Sequence, residues 1–268
     1  MIQHFAGGAV RARVTGAGPT VWLLHSLLAD AGSFAPLASA LSGRHRVIVP
    51  DLPGFGGSAP AAPGLEAVAD RVAEAVRGAG APVAVVGNGY GGFVALALAL
   101  RHPGLVERLV LAGTGAAFDE PGRAAFRGMA AAAGAKGLAA IADVAMRRLF
   151  APDFQAANPG LVAERRERFL ATDAAVFTAA CAALAELDLR EAARGLDVPT
   201  LILVGEGDEA TPPAMARDLA ARLPDARLVE LPGLAHVPQL QDTAAFVAAL
   251  GDFLMPPGTR AVPAHAAS

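Results

Sequence analysis

Residues 83–93 read VAVVGNGYGGF: a β-branched run, a glycine-rich turn, then an apolar stretch of helical composition. The pattern G-x-S-x-G in such a strand-turn-helix setting exposes a nucleophilic serine. Here Gly87 and Gly91 flank the position and Gly89 stands at its centre, so the hydroxyl is missing. Two further stretches hold residues suited to proton transfer: Asp208 in GEGDEATPP and His236 in LPGLAHVPQLQD, 28 residues apart. A carboxylate on one imidazole nitrogen fixes the tautomer and leaves the other nitrogen free to take a proton. A fourth stretch, His25-Ser26-Leu27, also lies just past an apolar run.

Strand-like elements must carry these residues. TVWLLH (20–25), HRVIVPD (45–51), PVAVVG (82–87) and VERLVLAG (106–113) are short runs rich in Val, Ile and Leu, as strands covered on both faces are. Between them FAPLASAL (34–41), LEAVADRVAEAVRGAG (65–80) and GGFVALALALRHP (91–103) have helical spacing or composition. The alternation predicts an α/β fold with a doubly wound, mostly parallel eight-stranded sheet. The stretches near IQHF and VRARVT predict an antiparallel hairpin at one edge. From 116 to 195 the alternation stops in favour of Ala-, Arg- and Glu-rich helical patterns, read as a helical lid inserted over the carboxyl edge of the sheet. Strands at 199–208 and 226–232 and helices at 213–224 and 243–254 then complete the core, which comprises 1–115 and 196–255. The tail, 256–268, has no core-forming period and reads as disordered. In such sheets ligands bind beyond the carboxyl ends of the strands, where all four chemical stretches fall.

Composition narrows the partners. The 268 residues are 54% hydrophobic, enough for one large domain, and the net charge of -3 gives no reason to expect nucleic acid or an anionic membrane surface. Cys181 is the single cysteine, so no intrachain disulfide can form, and a reducing, cytoplasmic setting is expected. The N-terminus lacks the charged start and apolar run of a signal peptide, and no stretch has the length of a membrane span. Six scattered histidines and one cysteine show no metal-ligand spacing, and no cofactor is expected. The expected partner is a small-molecule substrate, and a homodimer is compatible with the sequence.

The order of these motifs, from HSLLADAGSFAPLASAL through VIVPDLPGFGGS to GLAHVPQLQDTAAF, resembles the α/β-hydrolase superfamily, especially small lid-bearing esterases and 3-oxoadipate enol-lactonases. The resemblance spans nearly the whole chain and implies an α/β-hydrolase fold. It implies Asp208 as the acid, His236 as the base and Gly89 at the nucleophile position, with the backbone N–H groups of Leu27 and Tyr90 as the oxyanion hole. His25, Ser26 and Asn88 are the further candidates for the substrate site.

Simpler roles stand beside these. Asp208 could cap the helix after it, His25 could support its loop, and Cys181 in ACAAL reads as packing. Gly87, Gly89 and Gly92 also spell the dinucleotide fingerprint G-x-G-x-x-G, but the next strand ends without an acidic ribose partner. Glycine at the elbow keeps the turn and removes covalent chemistry from that position. Three readings follow. One is an enzyme using a His-Asp dyad and an oxyanion hole for non-covalent general-base chemistry (elimination, cyclisation, C–C cleavage or water attack) on a small apolar carbonyl or ester substrate. The second is a serine esterase or lactonase whose nucleophile has been changed from Ser to Gly. The third is a non-catalytic ligand-binding member of the fold.

Overall fold

The computed structural model describes residues 1–255, so the tail read as disordered lies outside the described residues. Eight strands form one sheet: β1 (Ile2–Phe5), β2 (Val10–Thr15), β3 (Thr20–Leu24), β4 (Arg46–Pro50), β5 (Val83–Asn88), β6 (Val106–Ala112), β7 (Thr200–Gly205) and β8 (Ala226–Leu231). Their spatial order is β1-β2-β4-β3-β5-β6-β7-β8. The β1–β2 hairpin is antiparallel and joins β4 antiparallel at one edge, and every later pairing is parallel.

Side chains alternate across the sheet, and both faces are apolar. In β3, Val21 and Leu23 point into one cluster and Trp22 and Leu24 into the other, all fully buried. The first cluster is covered by α1 (Ala35–Leu41) and α12 (Thr243–Leu250), through Leu37, Phe246 and Leu250. The second is covered by α2 (Leu65–Ala79) and α3 (Tyr90–Arg101). Leu65, Val68, Ala69, Val72, Ala73 and Val76 give α2 one buried stripe, and Gly80, at φ 95°, ends it. Helix α3 is buried from Tyr90 to Ala99, as a helix that lies between sheet and neighbours on all sides must be. The last helix stops at Leu250, short of the 254 that the apolar pattern suggested, because Gly251 takes φ 51° and ends it.

Between β6 and β7 lie α4 (Glu120–Lys136), α5 (Ala142–Leu149), α6 (Pro152–Ala157), α7 (Pro159–Leu170), α8 (Ala174–Glu186) and the short α9 (Arg190–Ala193). The neck of this insertion is tied by an antiparallel bridge between Ala117 and Asp188. It is also tied by Arg123, whose guanidinium donates to the carbonyls of Phe118, Ala185 and Leu187. Phe118 joins insertion to core, with its ring 5.2 Å from Phe93 of α3 and 4.8 Å from Phe126 of α4. The core resumes with α10 (Pro213–Arg222) after β7 and α11 (Pro238–Gln241) before α12.

Candidate active site

Five adjacent strand ends, those of β3, β5, β6, β7 and β8, supply the site. At the end of β5 the chain turns through Gly89, at φ 53° and ψ -119°, directly into α3. That φ is disfavoured for residues with a Cβ and costs glycine little, so the sharp strand-to-helix turn is kept without strain. The turn leaves the Tyr90 N–H as the first orphan donor of α3. Among the described residues neither this N–H nor that of Leu27 has a hydrogen-bond partner.

Asp208 and His236 meet across the ends of β7 and β8. His236 Nδ1 lies 2.9 Å from Asp208 Oδ2. An ionised carboxylate can only accept, so Nδ1 carries the hydrogen of this contact and Nε2 is the ring nitrogen left for a second partner. Asp208 Oδ1 accepts the N–H groups of Ala210 and Thr211 at 2.9 Å each, and Oδ2 also accepts the Thr211 hydroxyl at 2.8 Å. The carboxylate, fully buried, thus closes its own loop instead of capping α10, which starts at Pro213. Thr211 went unnoticed in the sequence, although a hydroxyl three residues after Asp208 in GDEAT is a readable turn signal. Gly113, past the end of β6, was also missed: a Cβ there would lie 2.8 Å from Asp208 Oδ2 and 3.0 Å from His236 Nδ1.

Ser26 is the hydroxyl nearest the free imidazole nitrogen, with Oγ 3.3 Å from His236 Nε2. A Cβ added at Gly89 would come within 2.6 Å of both of these atoms. The serine of the β3 loop and the imidazole therefore close over the ground that a side chain at position 89 would need. Sequence position placed Ser26 near the strand ends but gave no direction for its hydroxyl.

The other two substrate-site candidates, His25 and Asn88, are fully buried and hold backbone, and neither borders the cavity. His25 accepts the Leu52 N–H on Nε2 at 3.1 Å and uses Nδ1 on the Ser26 carbonyl at 3.0 Å, which makes it a neutral loop support. Burial pushes its pKa down. Asn88 donates to the carbonyls of His236 (2.7 Å) and Ala112 (3.2 Å) and accepts from Gln239. Being the last residue of β5, it faces the neighbouring strand ends and fixes the loop that carries His236.

A cavity of about 30 Å³ lies among Ser26, Leu27, Gly89, Tyr90 and His236, roofed by Phe118, Phe126, Met129, Arg148 and Leu184 of the insertion. That is the room of a single water. Phe118, Phe126, Arg148 and Ala210 also border an open cleft of about 660 Å³. Met146, Phe150, Phe154 and Phe169 of the insertion do not line this cavity: Phe150 stacks on Phe154 at 5.3 Å, and Phe169 meets Phe177 edge-on at 5.6 Å. Three arginines of the insertion play different parts. Arg123 holds the neck, Arg127 pairs with Glu120, and half-buried Arg148 has no ion pair among the described residues. The Cys181 thiol is buried in α8 and pushed up to about 12, as inert packing would be. Among the described residues no group of three or more His, Cys, Asp or Glu could hold a metal, and no single helix is long and apolar enough to cross a membrane.

With this geometry, comparison with known proteins is direct. The family described as "Alpha/beta hydrolase family" matches residues 14–249. A pimeloyl-[acyl-carrier protein] methyl ester esterase of Chromobacterium violaceum is 35% identical over 246 residues, covering 89% of this chain and 95% of that protein. A protein described as a putative carbamate hydrolase of Serratia proteamaculans is 30% identical over 237 residues, covering 85% of this chain and 88% of its own length. Among solved structures, the enol-lactonase of Burkholderia xenovorans superposes with a TM-score of 0.88 at 31% identity, over 96% of this chain and all of that one.

Proposed function

This chain belongs to the alpha/beta hydrolase family, as an esterase- or lactonase-like member, and we propose that it hydrolyses a small ester or lactone with an apolar acyl part, using His236 as the base. The observation that carries the reading is the 2.9 Å contact of His236 Nδ1 with the buried Asp208 carboxylate, which leaves Nε2 facing the cavity. Nε2 takes the proton of the attacking hydroxyl, Asp208 stabilises the imidazolium, and the developing oxyanion is received by the N–H groups of Leu27 and Tyr90. The proton on Nε2 then passes to the leaving alkoxide.

The insertion acts as a lid. An acyl group needs more than about 30 Å³, so α4 and α8 shift outward to admit it through the larger cleft and return to exclude water. Arg148 stands where cavity and cleft meet, and it favours a substrate with an anionic end. The relatives named as a methyl ester esterase and an enol-lactonase support acyl-oxygen cleavage as the class of reaction.

The test is hydrolysis of short-chain esters and lactones, with and without a terminal carboxylate, by the wild type and His236→Ala. The expected result is turnover that falls at least about 10³-fold in the variant. Equal rates in the two proteins would remove His236 from the chemistry.

A further inference from the structure

The attacking hydroxyl need not come from water, because the site already contains one. We propose that Ser26, carried by the loop after β3, is the nucleophile of this site, and that it forms a relocated Ser26–His236–Asp208 triad in place of the serine missing at position 89.

Four observations lead to it. Ser26 Oγ has His236 Nε2 as its hydrogen-bond partner among the described residues, at 3.3 Å. Nucleophile–base pairs commonly stand this far apart before substrate compresses them. The imidazole is backed on Nδ1 by Asp208 and meets Ser26 on Nε2, so the chain of acid, base and hydroxyl is continuous. Ser26 is 1% exposed to bulk solvent yet borders the inner cavity, so its hydroxyl faces the place where an acyl carbon would lie. Finally, a Cβ at position 89 would fall 2.6 Å from Ser26 Oγ and 2.6 Å from His236 Nε2. A serine there and the Ser26 hydroxyl are thus alternatives for one acceptor, and glycine leaves that acceptor to Ser26.

The steps balance without a co-reactant other than water. Ser26 Oγ gives its proton to His236 Nε2 and bonds to the carbonyl carbon, whose oxygen becomes the oxyanion. The oxyanion collapses, the carbon–alkoxide bond breaks, and His236 gives its proton to the leaving oxygen, leaving an ester on Ser26. Water then loses a proton to His236 and attacks that ester, and Ser26 Oγ leaves and recovers the proton. The Leu27 N–H directly follows the attacking residue, a relation that one oxyanion donor shares with the nucleophile in G-x-S-x-G sites.

The inference rests on the hydrolase reading, and the test separates the two. Wild type, Ser26→Ala, His236→Ala and the double variant Ser26→Ala/Gly89→Ser are treated with a small alkyl fluorophosphonate, and the modified peptide is located by mass spectrometry. The same proteins are assayed for an initial burst on a chromogenic short-chain ester. The expected result is phosphonylation of Ser26 in the wild type, none at this loop in Ser26→Ala, and slower labelling in His236→Ala. Hydrolysis should fall at least about 10²-fold in Ser26→Ala and recover in the double variant, with the label moved to position 89. Recovery would show that Ser26→Ala leaves the fold and dyad intact.

Ester hydrolysis that needs His236 but proceeds in Ser26→Ala with an unchanged burst would overturn the inference and leave the hydrolase reading standing. A wild type that hydrolyses no ester would count against the hydrolase reading instead. The label would then decide alone: an unmodified Ser26 would overturn the inference, and a His236-dependent adduct on it would support an activated serine.

Discussion

Ser26 Oγ and His236 Nε2 lie 3.3 Å apart, and a Cβ at position 89 would stand 2.6 Å from each. Placing a serine at 89 by itself is therefore not a simple gain. Gly89→Ser brings a Cβ into occupied space at φ 53°, and strain of this kind costs about 1–3 kcal/mol. Combined with Ser26→Ala, one of the two clashes disappears. Thermal melts should show Gly89→Ser below the wild type, with Ser26→Ala/Gly89→Ser regaining part of the loss. An equal loss in both would mean that Ser26 does not compete for that space.

Gly113 guards the other side of the imidazole. Its φ of 55° and the 2.8 Å separation between a built Cβ and Asp208 Oδ2 leave no room for a methyl group. Gly113→Ala should push Asp208 and His236 apart and lower kcat about 10²-fold, since displacement of a catalytic group by an ångström costs about that much. The same rate in Gly113→Ala and wild type would contradict the dyad geometry.

Much of this was legible in the sequence because strand ends are where a doubly wound sheet gathers its chemistry. The apolar runs of β3, β5, β7 and β8 therefore put Ser26, Gly89, Asp208 and His236 into one neighbourhood. Direction was not legible. Whether the Ser26 hydroxyl meets an imidazole 210 positions away depends on how the loop after β3 leans, and no local pattern records that lean. The direction of Asn88 was hidden for a related reason: its partner is the His236 carbonyl, 148 residues distant, and only the packing of β5 against the later loops reveals it. Helix ends were limited in the same way, as α12 shows: apolar spacing runs on to Leu254, but Gly251 stops the helix.

Arg148 is placed to sort substrates by charge. It borders both the inner cavity and the outer cleft, with no ion pair among the described residues. Arg148→Gln should raise KM about 10-fold for an ester with a terminal carboxylate, equivalent to about 1.4 kcal/mol, and leave a neutral ester of the same length nearly unchanged. Equal effects on the two substrates in steady-state assays would assign Arg148 to packing alone.

Stability should decline on mild acidification. Burial lowers the pKa of His25 from 6.5, outweighing the raising effect of its bond to the Ser26 carbonyl and of Asp30 and Asp51. His45 is shifted the same way, chiefly by burial. In this window the unfolded chain binds protons more readily than the folded one, so the stabilisation is present above about pH 6.5 and is lost as pH falls towards the lowered values. The fully buried His25 contributes at most about 1.4 kcal/mol per pH unit. Urea midpoints compared at about pH 7.5 and about pH 5.5 should fall for the wild type and fall less for His25→Gln. Parallel declines would show that His25 titrates alike in both states.

The most direct test of the account is a double-mutant cycle on kcat/KM between Ser26→Ala and His236→Ala, read with the best ester substrate. If Ser26 attacks only through His236, the two act as one unit, and the double variant should be no slower than the worse single variant. Losses that multiply independently in the double variant would contradict the account, because the hydroxyl and the imidazole would then be working apart.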